Sequence, residues 1–236
     1  MNSRHNARGR DLPFVFLNVA VTADGKIATA NRAVHSFGSK EDLNHLYELR
    51  ATADAVMSGA RTVEISEPTL GNGGEKFRRL RVKNGLAEHP LRIIASGSGS
   101  VNPKSKIFTK NFSPIIVLAS HRAPEKKLGA LRKLATDLHV SGKTEIDFVS
   151  TFRWLREKWN VKRLLCEGGG DLNDALFRVG LVDEIHMTFC PKIFGGRTAP
   201  TLSEGLGHEN LAAASKYKLA RFWRKKAELF TIFARA

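Results

Sequence analysis

A run of three glycines between two carboxylates is the first feature of the sequence that could bind a ligand. The run is Glu167-Gly168-Gly169-Gly170-Asp171, and it follows the apolar segment 164–166. We predict that it joins a buried strand to a helix. Glycine lets the backbone approach a ligand closely, and the unpaired N–H groups of a helix's first turn favour negative charge. The run indicates either a site for a phosphate-containing cofactor or a turn that lets helix and strand pack closely.

The two carboxylates change what this turn could hold. Asp171 would cap a helix predicted over residues 172–179, and an ionised cap would repel a phosphate placed directly on that helix end. A ribose hydroxyl or a displaced phosphate would be easier to accommodate. Glu167, at the mouth of the turn, could bind a polar ring or cap the adjacent loop.

Arg50 is the second candidate, because its predicted helix places it among apolar residues. Three apolar side chains precede it by seven, four and three positions and share its stripe of the helix. A guanidinium that faces the interior needs a partner. Asp54 or Glu48 would give a structural ion pair, and a substrate phosphate is the functional alternative.

Other familiar sites are missing from the sequence. The loop 96–100 contains Gly97-Ser98-Gly99 after a predicted strand, but it lacks the third glycine of G-x-G-x-x-G, and Pro103 interrupts a following helix. No Walker A sequence, no H-x-E with P-C-x-x-C, no H-x-x-x-H spacing and no G-x-S-x-G are present. We therefore expect no Rossmann cofactor site, no P-loop or serine hydrolase and no metal site.

Composition describes an ordinary globular chain. With 236 residues and 42% hydrophobic residues it can bury a substantial core, and without a repeat or linker we predict a single domain over 12–236. The two cysteines, Cys166 and Cys190, lie in apolar runs and indicate buried thiols. No segment approaches the roughly 18 apolar residues of a membrane span, and the polar N-terminus lacks a secretory signal's apolar core. We expect a soluble, cytoplasmic protein.

The formal net charge of +15 is unusual and predicts a preference for anions. Nucleic acid, an anionic membrane surface and phosphorylated small molecules would all satisfy it, and solvated surface charge is an equal alternative. The first 12 residues are predicted to form a flexible, basic N-terminus. The basic clusters are Arg4, Arg8 and Arg10, then 76–83, then 221–226.

Short apolar runs alternate with amphipathic segments, which is typical of an α/β sheet covered on both faces. We predict a long loop over 68–90 with one helical turn near 77–82. Strands are predicted over 14–22, 55–58, 91–95, 115–119, 138–140, 162–167 and 182–191, with a terminal hairpin of 217–223 and 228–234. Helices are predicted over 40–53, 124–135, 151–159 and 172–179.

Several segments together resemble the C-terminal reductase domain of the riboflavin-biosynthesis protein RibD and its free-standing archaeal counterparts. They occur in the family's order and cover nearly the whole chain. The matching segments are Asn18-Val19-Ala20-Val21-Thr22-Ala23-Asp24-Gly25-Lys26-Ile27-Ala28, Leu49-Arg50-Ala51-Thr52-Ala53-Asp54-Ala55, Gly59-Ala60-Arg61-Thr62-Val63, Glu167-Gly168-Gly169-Gly170-Asp171-Leu172-Asn173, Gly180-Leu181-Val182-Asp183-Glu184 and Pro191-Lys192-Ile193-Phe194-Gly195-Gly196.

The resemblance implies a three-layer α/β/α fold of the dihydrofolate-reductase type, with a mixed, mostly parallel central sheet, and a homodimer. It also implies NADPH-dependent reduction of a ribosylaminopyrimidine 5′-phosphate to its ribitylamino form. Arg50, Leu70 and Glu167 would face the substrate, with Arg50 toward its phosphate. The residues implied to contact NADPH are Ala20, Gly59, Thr62, Ser66, Gly97, Gly168, Gly169, Gly170, Asp171 and Leu172. The run of implied contacts that starts at Gly169 extends to Ala175.

The sequence departs from the family pattern at three places. Ser66 stands where the family usually has a cofactor-contacting aspartate, and Ser96-Gly97 replaces an Asp-Ser pair. Gly71-Asn72-Gly73 replaces T-V-R, so a substrate-binding arginine is missing. We expect Lys76, Arg78 or Arg79 to reach in instead.

Three other functions remain open at this stage. A dihydropterin or dihydrofolate reductase would share the fold and the cofactor. A nucleic-acid-binding module would use the basic run 76–83, although no recognised nucleic-acid motif accompanies it. A non-catalytic homologue would explain the departures at Ser66 and Gly73.

Overall fold

The computed structural model describes residues 11–32 and 37–236. The basic cluster of Arg4, Arg8 and Arg10, in the predicted flexible N-terminus, lies outside the described residues. Nine strands are found in the described part of the chain, and all of them join one sheet. The strands are β1 (Phe14–Thr22), β2 (Ala55–Gly59), β3 (Leu91–Ala95), β4 (Ile115–Ala119), β5 (Asp137–Val140), β6 (Arg163–Cys166), β7 (Glu184–Cys190), β8 (Tyr217–Lys225) and β9 (Glu228–Arg235).

The sheet is mixed and mostly parallel, as predicted. Its order is β5-β4-β3-β2-β6-β1-β7-β9-β8. Every neighbouring pair from β5 to β7 is parallel, and only the pairs β7–β9 and β9–β8 are antiparallel. Parallel neighbours require long crossover connections, which the helices supply. The helices are α1 (Lys40–Arg50), α2 (Ala60–Ser66), α3 (Glu75–Lys83), α4 (Lys106–Thr109), α5 (Glu125–Arg132), α6 (Phe148–Trp159) and α7 (Gly170–Arg178).

Alternation along the central strands produces two apolar cores, one on each face of the sheet. On β2, Met57 belongs to the core that α6 and α7 cover, and Val56 belongs to the core on the opposite face. Ile93 and Ile94 on β3 divide in the same way. This period of two is the ordinary consequence of strand geometry, and it explains why these runs are apolar throughout.

Predictions of the strands and of the major helices are confirmed within a few residues, whereas shorter helices differ from expectation. The loop predicted over 68–90 contains a nine-residue helix, α3, rather than one turn. Phe77 and Arg81, four residues apart, form its buried face, and Glu75 pairs with Arg78 and Arg79 on its exposed face. The helices α2 and α4 were not predicted, because neither has a side-chain cap or enough length for an apolar stripe.

Both cysteines are free, buried thiols, as predicted. Burial raises the pKa of Cys166 to about 12, and burial together with nearby Glu228 raises the pKa of Cys190 to about 12. Neither thiol forms a thiolate near neutral pH, so neither supplies a nucleophile. Within the described residues no helix has the length and apolar character that a membrane crossing requires.

The buried face of α3 includes a guanidinium that fixes the end of α1. Arg81 is 1% exposed. Its Nη1 donates to the carbonyl of Arg50 and, at 2.7 Å, to that of Ala53, while its Nε donates to the carbonyl of Ala87 at 2.7 Å. The last carbonyls of a helix have no partner within it. Arg81 supplies a donor to the buried Ala53 carbonyl and a second donor to the Arg50 carbonyl, which also accepts the Ala53 N–H at 3.3 Å. Part of the basic run 76–83 is therefore structural.

Replacing Arg81 by methionine should lower the free energy of unfolding by about 3 kcal/mol, because the buried carbonyls of Arg50 and Ala53 lose a charged donor and the part-buried contact to the Ala87 carbonyl is lost. Equilibrium urea unfolding followed by circular dichroism measures this change. The matched control is Arg79→Met, since the Arg79 side chain is 78% exposed and pairs only with Glu75; its stability should match the wild type. Equal losses in both variants would contradict the structural role of Arg81.

Candidate active site

A large cleft opens at the carboxyl ends of the central parallel strands. Its volume is about 1060 Å³, and its walls include Ala20 of β1, Gly59 of β2, Ala95 of β3 and Glu167 just beyond β6. Ligands of open α/β sheets bind at this edge, where the strand order changes direction. Here the chain passes from β1 to β2 around β6, so the order changes between the strands that form the floor of the cleft.

The predicted glycine turn forms part of this floor. The carbonyl of Gly168 accepts the N–H of Gly59 at 2.7 Å, which ties the turn to the end of β2. A side chain at Gly170 would stand 2.7 Å from Cγ of Glu204 and 2.9 Å from the carbonyl of Thr201. Glycine is required at that position because the neighbouring loop packs against the backbone itself.

The start of α7 differs from the prediction. Gly169 is the N-cap and Gly170 the first helical residue, so Asp171 is the second residue of the helix and not its cap. The Asp171 carboxylate lies 3.3 Å from the guanidinium of Arg61, and both side chains are more than 60% exposed. The expected repulsion of a phosphate is therefore reduced, because the Asp171 carboxylate is exposed to solvent and partly compensated by Arg61.

Arg50 and Glu167, the two predicted substrate-binding residues with charge, bind each other. Arg50 Nε and Nη2 donate to the two carboxylate oxygens of Glu167 at 2.6 and 2.7 Å, and Nη1 donates to the carbonyl of Gly71 at 2.7 Å. Neither expected ion-pair partner is correct. Asp54 instead accepts the backbone N–H groups of Lys162 and Arg163, at 2.8 and 2.7 Å.

The environment of this pair keeps Arg50 charged. Burial works against the charge, but the Glu167 carboxylate outweighs it, so the pKa of Arg50 is raised above its ordinary value. The side chains of Arg50 and Glu167 are only 8% and 12% exposed. A guanidinium has five N–H donors, and three are used in these contacts. Two remain for a ligand, so the ion pair and a phosphate contact are compatible.

The position of the missing family arginine is filled in another way. A side chain at Gly73, whose φ is 86°, would collide with the Tyr47 ring at 2.2 Å. The Tyr47 ring in turn lies 5.5 Å from Cζ of Arg50. The expectation of a replacement from α3 is wrong for this structure: Arg78 and Arg79 pair with Glu75, Lys76 lies over the Phe77 ring, and none of the three lines the cleft.

The structure brings most of the predicted contact residues together. Gly168 does not line the cleft; its carbonyl accepts the N–H of Gly59 and so holds the turn against β2. Leu70 is fully buried in the apolar core beside Leu49 and Val63, away from the cleft surface. The predicted residues that do line the cleft are Ala20, Arg50, Gly59, Thr62, Ser66, Gly97, Glu167, Gly169, Gly170, Asp171 and Leu172.

Sequence reasoning missed several polar residues of the cleft. Asp42, in the first turn of α1, was not predicted to contact a ligand, yet it lines the cleft. Burial raises its pKa and Glu228 adds to the rise, although the Thr188 hydroxyl opposes it. Arg122 also lines the cleft, and no motif in the sequence marks it. Asp42 and Arg122 line the cleft because the order of the strands in the sheet places their segments there. Residue spacing along the sequence does not reveal that order.

The residues of the cleft fit a dinucleotide rather than a metal ion. Gly59, Gly169 and Gly170 have no side chains, so a ligand can approach their backbone closely. The helix α7 begins at Gly170 without a side-chain cap, which leaves the N–H groups of its first turn available. The Oγ of Ser66 and the Oδ1 of Asn18 are buried in this region without hydrogen-bond partners, as expected where a polar ligand belongs. Among the described residues no group of His, Cys, Asp and Glu is arranged to hold a metal.

Comparison with known proteins shows the class of protein to which this fold and cleft belong. The pyrimidine reductase-like protein of Corynebacterium diphtheriae has the same fold, with a TM-score of 0.82 and 18% identity, covering 95% of this chain and 92% of that one. This likeness shows the fold, which is an α/β fold of the dihydrofolate-reductase type. The relatives described below, at 34–35% identity, show that the chain is a reductase. Residues 13–229 match the model of the RibD C-terminal domain, and the chain belongs to that family.

Two archaeal relatives extend this result. The 2,5-diamino-6-ribosylamino-4(3H)-pyrimidinone 5′-phosphate reductase of Archaeoglobus fulgidus is 35% identical over 193 residues, which are 82% of this chain and 87% of the relative. The protein of the same name from Methanothermobacter thermautotrophicus is 34% identical over 209 residues, which are 89% and 92% of the two chains. The resemblance inferred from the motifs is confirmed.

A double-mutant cycle on Arg50→Gln and Glu167→Gln should give a coupling energy of about 2–3 kcal/mol in urea unfolding, because the two charges are buried together. The pair Arg61 and Asp171, in the same cleft but exposed, is the control and should couple by less than about 1 kcal/mol. Similar coupling in the two cycles would contradict the view that the buried pair organises the site.

Proposed function

We propose that the protein reduces a ribosylaminopyrimidine 5′-phosphate to the ribitylamino phosphate in riboflavin biosynthesis, with NADPH as hydride donor. The observation that supports it most is Arg50: a buried guanidinium on the cleft, held by Glu167 at the end of the glycine turn, with two N–H donors unused. Such a group suits a phosphorylated substrate. Curated relatives at 34–35% identity bear the name of this activity.

The reaction needs positioning more than acid–base chemistry. NADPH, when bound, would supply the hydride to C1′ of the substrate's open-chain imine, and a proton drawn from solvent would complete the amine at its nitrogen. The chain's own part is to hold that carbon near the cofactor and to exclude water. The glycine turn and the run to Ala175 would hold the cofactor, with Ala20, Thr62, Ser66 and Gly97 beside it. Arg50 would orient the substrate phosphate, and Glu167 would both orient Arg50 and face the pyrimidine.

For the substrate, we propose the pyrimidine that still has both amino groups, because the two archaeal relatives are named for that compound. A homodimer and a cytoplasmic location remain predictions of the family resemblance. The nucleic-acid alternative loses its basis, since the run 76–83 folds as α3 with Arg81 inside and with Arg78 and Arg79 paired to Glu75.

Turnover with purified protein tests the proposal. NADPH oxidation, followed at 340 nm, should depend on the diamino ribosylaminopyrimidine 5′-phosphate, and mass spectrometry should show a product heavier by two hydrogens. Arg50→Gln should raise the KM for that substrate by about tenfold or more, since a charge-assisted contact to phosphate is lost. The KM for the dephosphorylated substrate should rise by clearly less, since the same change disturbs only the placement of Glu167 and removes no phosphate contact.

Two results would overturn the proposal. Turnover of a dihydropterin or dihydrofolate without turnover of the ribosylamino phosphate would leave only the reductase class. An equal effect of Arg50→Gln on phosphorylated and dephosphorylated substrates would assign Arg50 a purely structural role.

A further inference from the structure

Seven carboxylates line the cleft among the described residues, and one of them differs from the rest. Five pair with arginines, and a sixth, Glu64, accepts the N–H of Asn102 at 3.1 Å. The seventh, Asp42, forms no ion pair within residues 11–32 and 37–236, and its Oδ1 is buried there without a hydrogen-bond partner. Such an acceptor suits the N–H donors of a ligand. The five paired carboxylates are Glu145, Glu167, Asp171, Asp174 and Glu204.

The helix α1 places Asp42 on the same wall of the cleft as Arg50. Asp42, Leu46 and Arg50 follow one another at intervals of four residues, and all three line the cleft. Eight residues of helix rise by about 12 Å, which separates the backbone positions of the two charged residues. Along this length α1 crosses the sheet. Arg50 binds Glu167 beyond β6, whereas the hydroxyl of Thr188 on β7 lies beside Asp42, with β1 between the two strands.

The surroundings of Asp42 fix its carboxylate but give it no counter-ion. A side chain at Gly38 would collide with its Oδ2, so the carboxylate lies against the backbone of the cleft wall. The nearby Glu228 carboxylate accepts the N–H and the hydroxyl of Ser39, at 2.8 and 2.5 Å. Burial raises the pKa of Asp42 against the effect of the Thr188 hydroxyl, and Glu228 adds to the rise. Donors from a ligand would offset the cost of this buried charge.

The pyrimidine of the proposed substrate has donors that match a carboxylate. In the 2,5-diamino-4(3H)-pyrimidinone ring, the 2-amino group stands next to N3–H, and a carboxylate can accept both donors side by side. Deamination replaces the 2-amino group by a carbonyl, which would face the carboxylate oxygen and repel it. Both oxygens of Glu167 already accept from Arg50, whereas those of Asp42 are available.

We propose that Asp42 binds the edge of the pyrimidine formed by the 2-amino group and N3–H, and thereby selects the diamino compound over its deaminated counterpart. This inference rests on the proposed function for the identity of the substrate. With the phosphate on the unused N–H groups of Arg50, the five-carbon chain would extend along α1 and over β1, and the ring would reach Asp42. Glu167 would then face another edge of the ring.

The ratio of kcat/KM values for the two pyrimidine phosphates tests the proposal. With NADPH, the wild type should favour the diamino compound at least about tenfold. Asp42→Asn presents one acceptor and one donor, which match the N3–H and the 2-carbonyl of the deaminated ring. It should lower kcat/KM for the diamino compound and raise it for the deaminated one, so that the ratio falls by at least about tenfold. Asp42→Ala should remove the preference without reversing it.

Glu48→Gln is the matched control, because it removes the same charge from the same helix. Glu48 lies outside the cleft, and its side chain is 50% exposed. This variant should keep the selectivity of the wild type. An unchanged ratio in Asp42→Asn, an equal loss for both compounds, or a wild type without preference for the diamino compound would overturn the assignment of Asp42.

Titration with the free bases separates this inference from the proposed reaction. The wild type should bind 2,5,6-triaminopyrimidin-4-one more tightly than 5,6-diaminouracil, and Asp42→Asn should reverse that order. If the wild type reduced neither phosphate but showed this order and its reversal, the proposed reaction would fall and the assignment of Asp42 would stand. Turnover that is indifferent to Asp42 would have the opposite meaning, and the absence of both turnover and binding order would overturn both.

Discussion

The buried pair of Arg50 and Glu167 is the interaction on which the site depends. It joins the last residue of α1 to the residue that opens the glycine turn, 117 positions later in the chain. Two charges with this little exposure are stable only together, because an isolated buried charge is costly. The pair therefore fixes α1 against the end of β6, and with it two walls of the cleft.

Other contacts converge on the same point. The carbonyl of Gly71 receives the third N–H of Arg50, so the loop after α2 is placed by the same guanidinium. Arg81 binds the carbonyl of Arg50 itself and thereby holds the helix end. Position 73 requires glycine because the Tyr47 ring occupies the space that a side chain would need.

Electrostatics divide the cleft into two parts. Around the glycine turn, arginines are matched with carboxylates, so the local charge is nearly balanced and a ligand is recognised by shape and by unused donors. At the loop 96–100 the positive charge of Arg122 is uncompensated among the described residues.

Sequence reasoning predicted what depends on local patterns and missed what depends on strand order. The apolar runs of β3 and β4 were predicted to the residue, since strands buried on both faces are apolar throughout. Glu167 and Arg50 were each identified, but spacing suggested partners next to Arg50 in the chain. Their true pairing follows from β6 inserting between β1 and β2. The start of α7 was misplaced by two positions, with Asp171 rather than Gly169 as the cap, because glycine gives no clear sign of where a helix starts.

A crystal structure with NADPH and the ribosylamino phosphate bound would test the account most directly. We predict the nicotinamide beside the 168–170 turn, the substrate phosphate on the two unused N–H groups of Arg50, and the pair with Glu167 intact. A substrate phosphate bound elsewhere, or an Arg50 that leaves Glu167 to reach it, would contradict the view that one ion pair both builds the cleft and recognises its ligand.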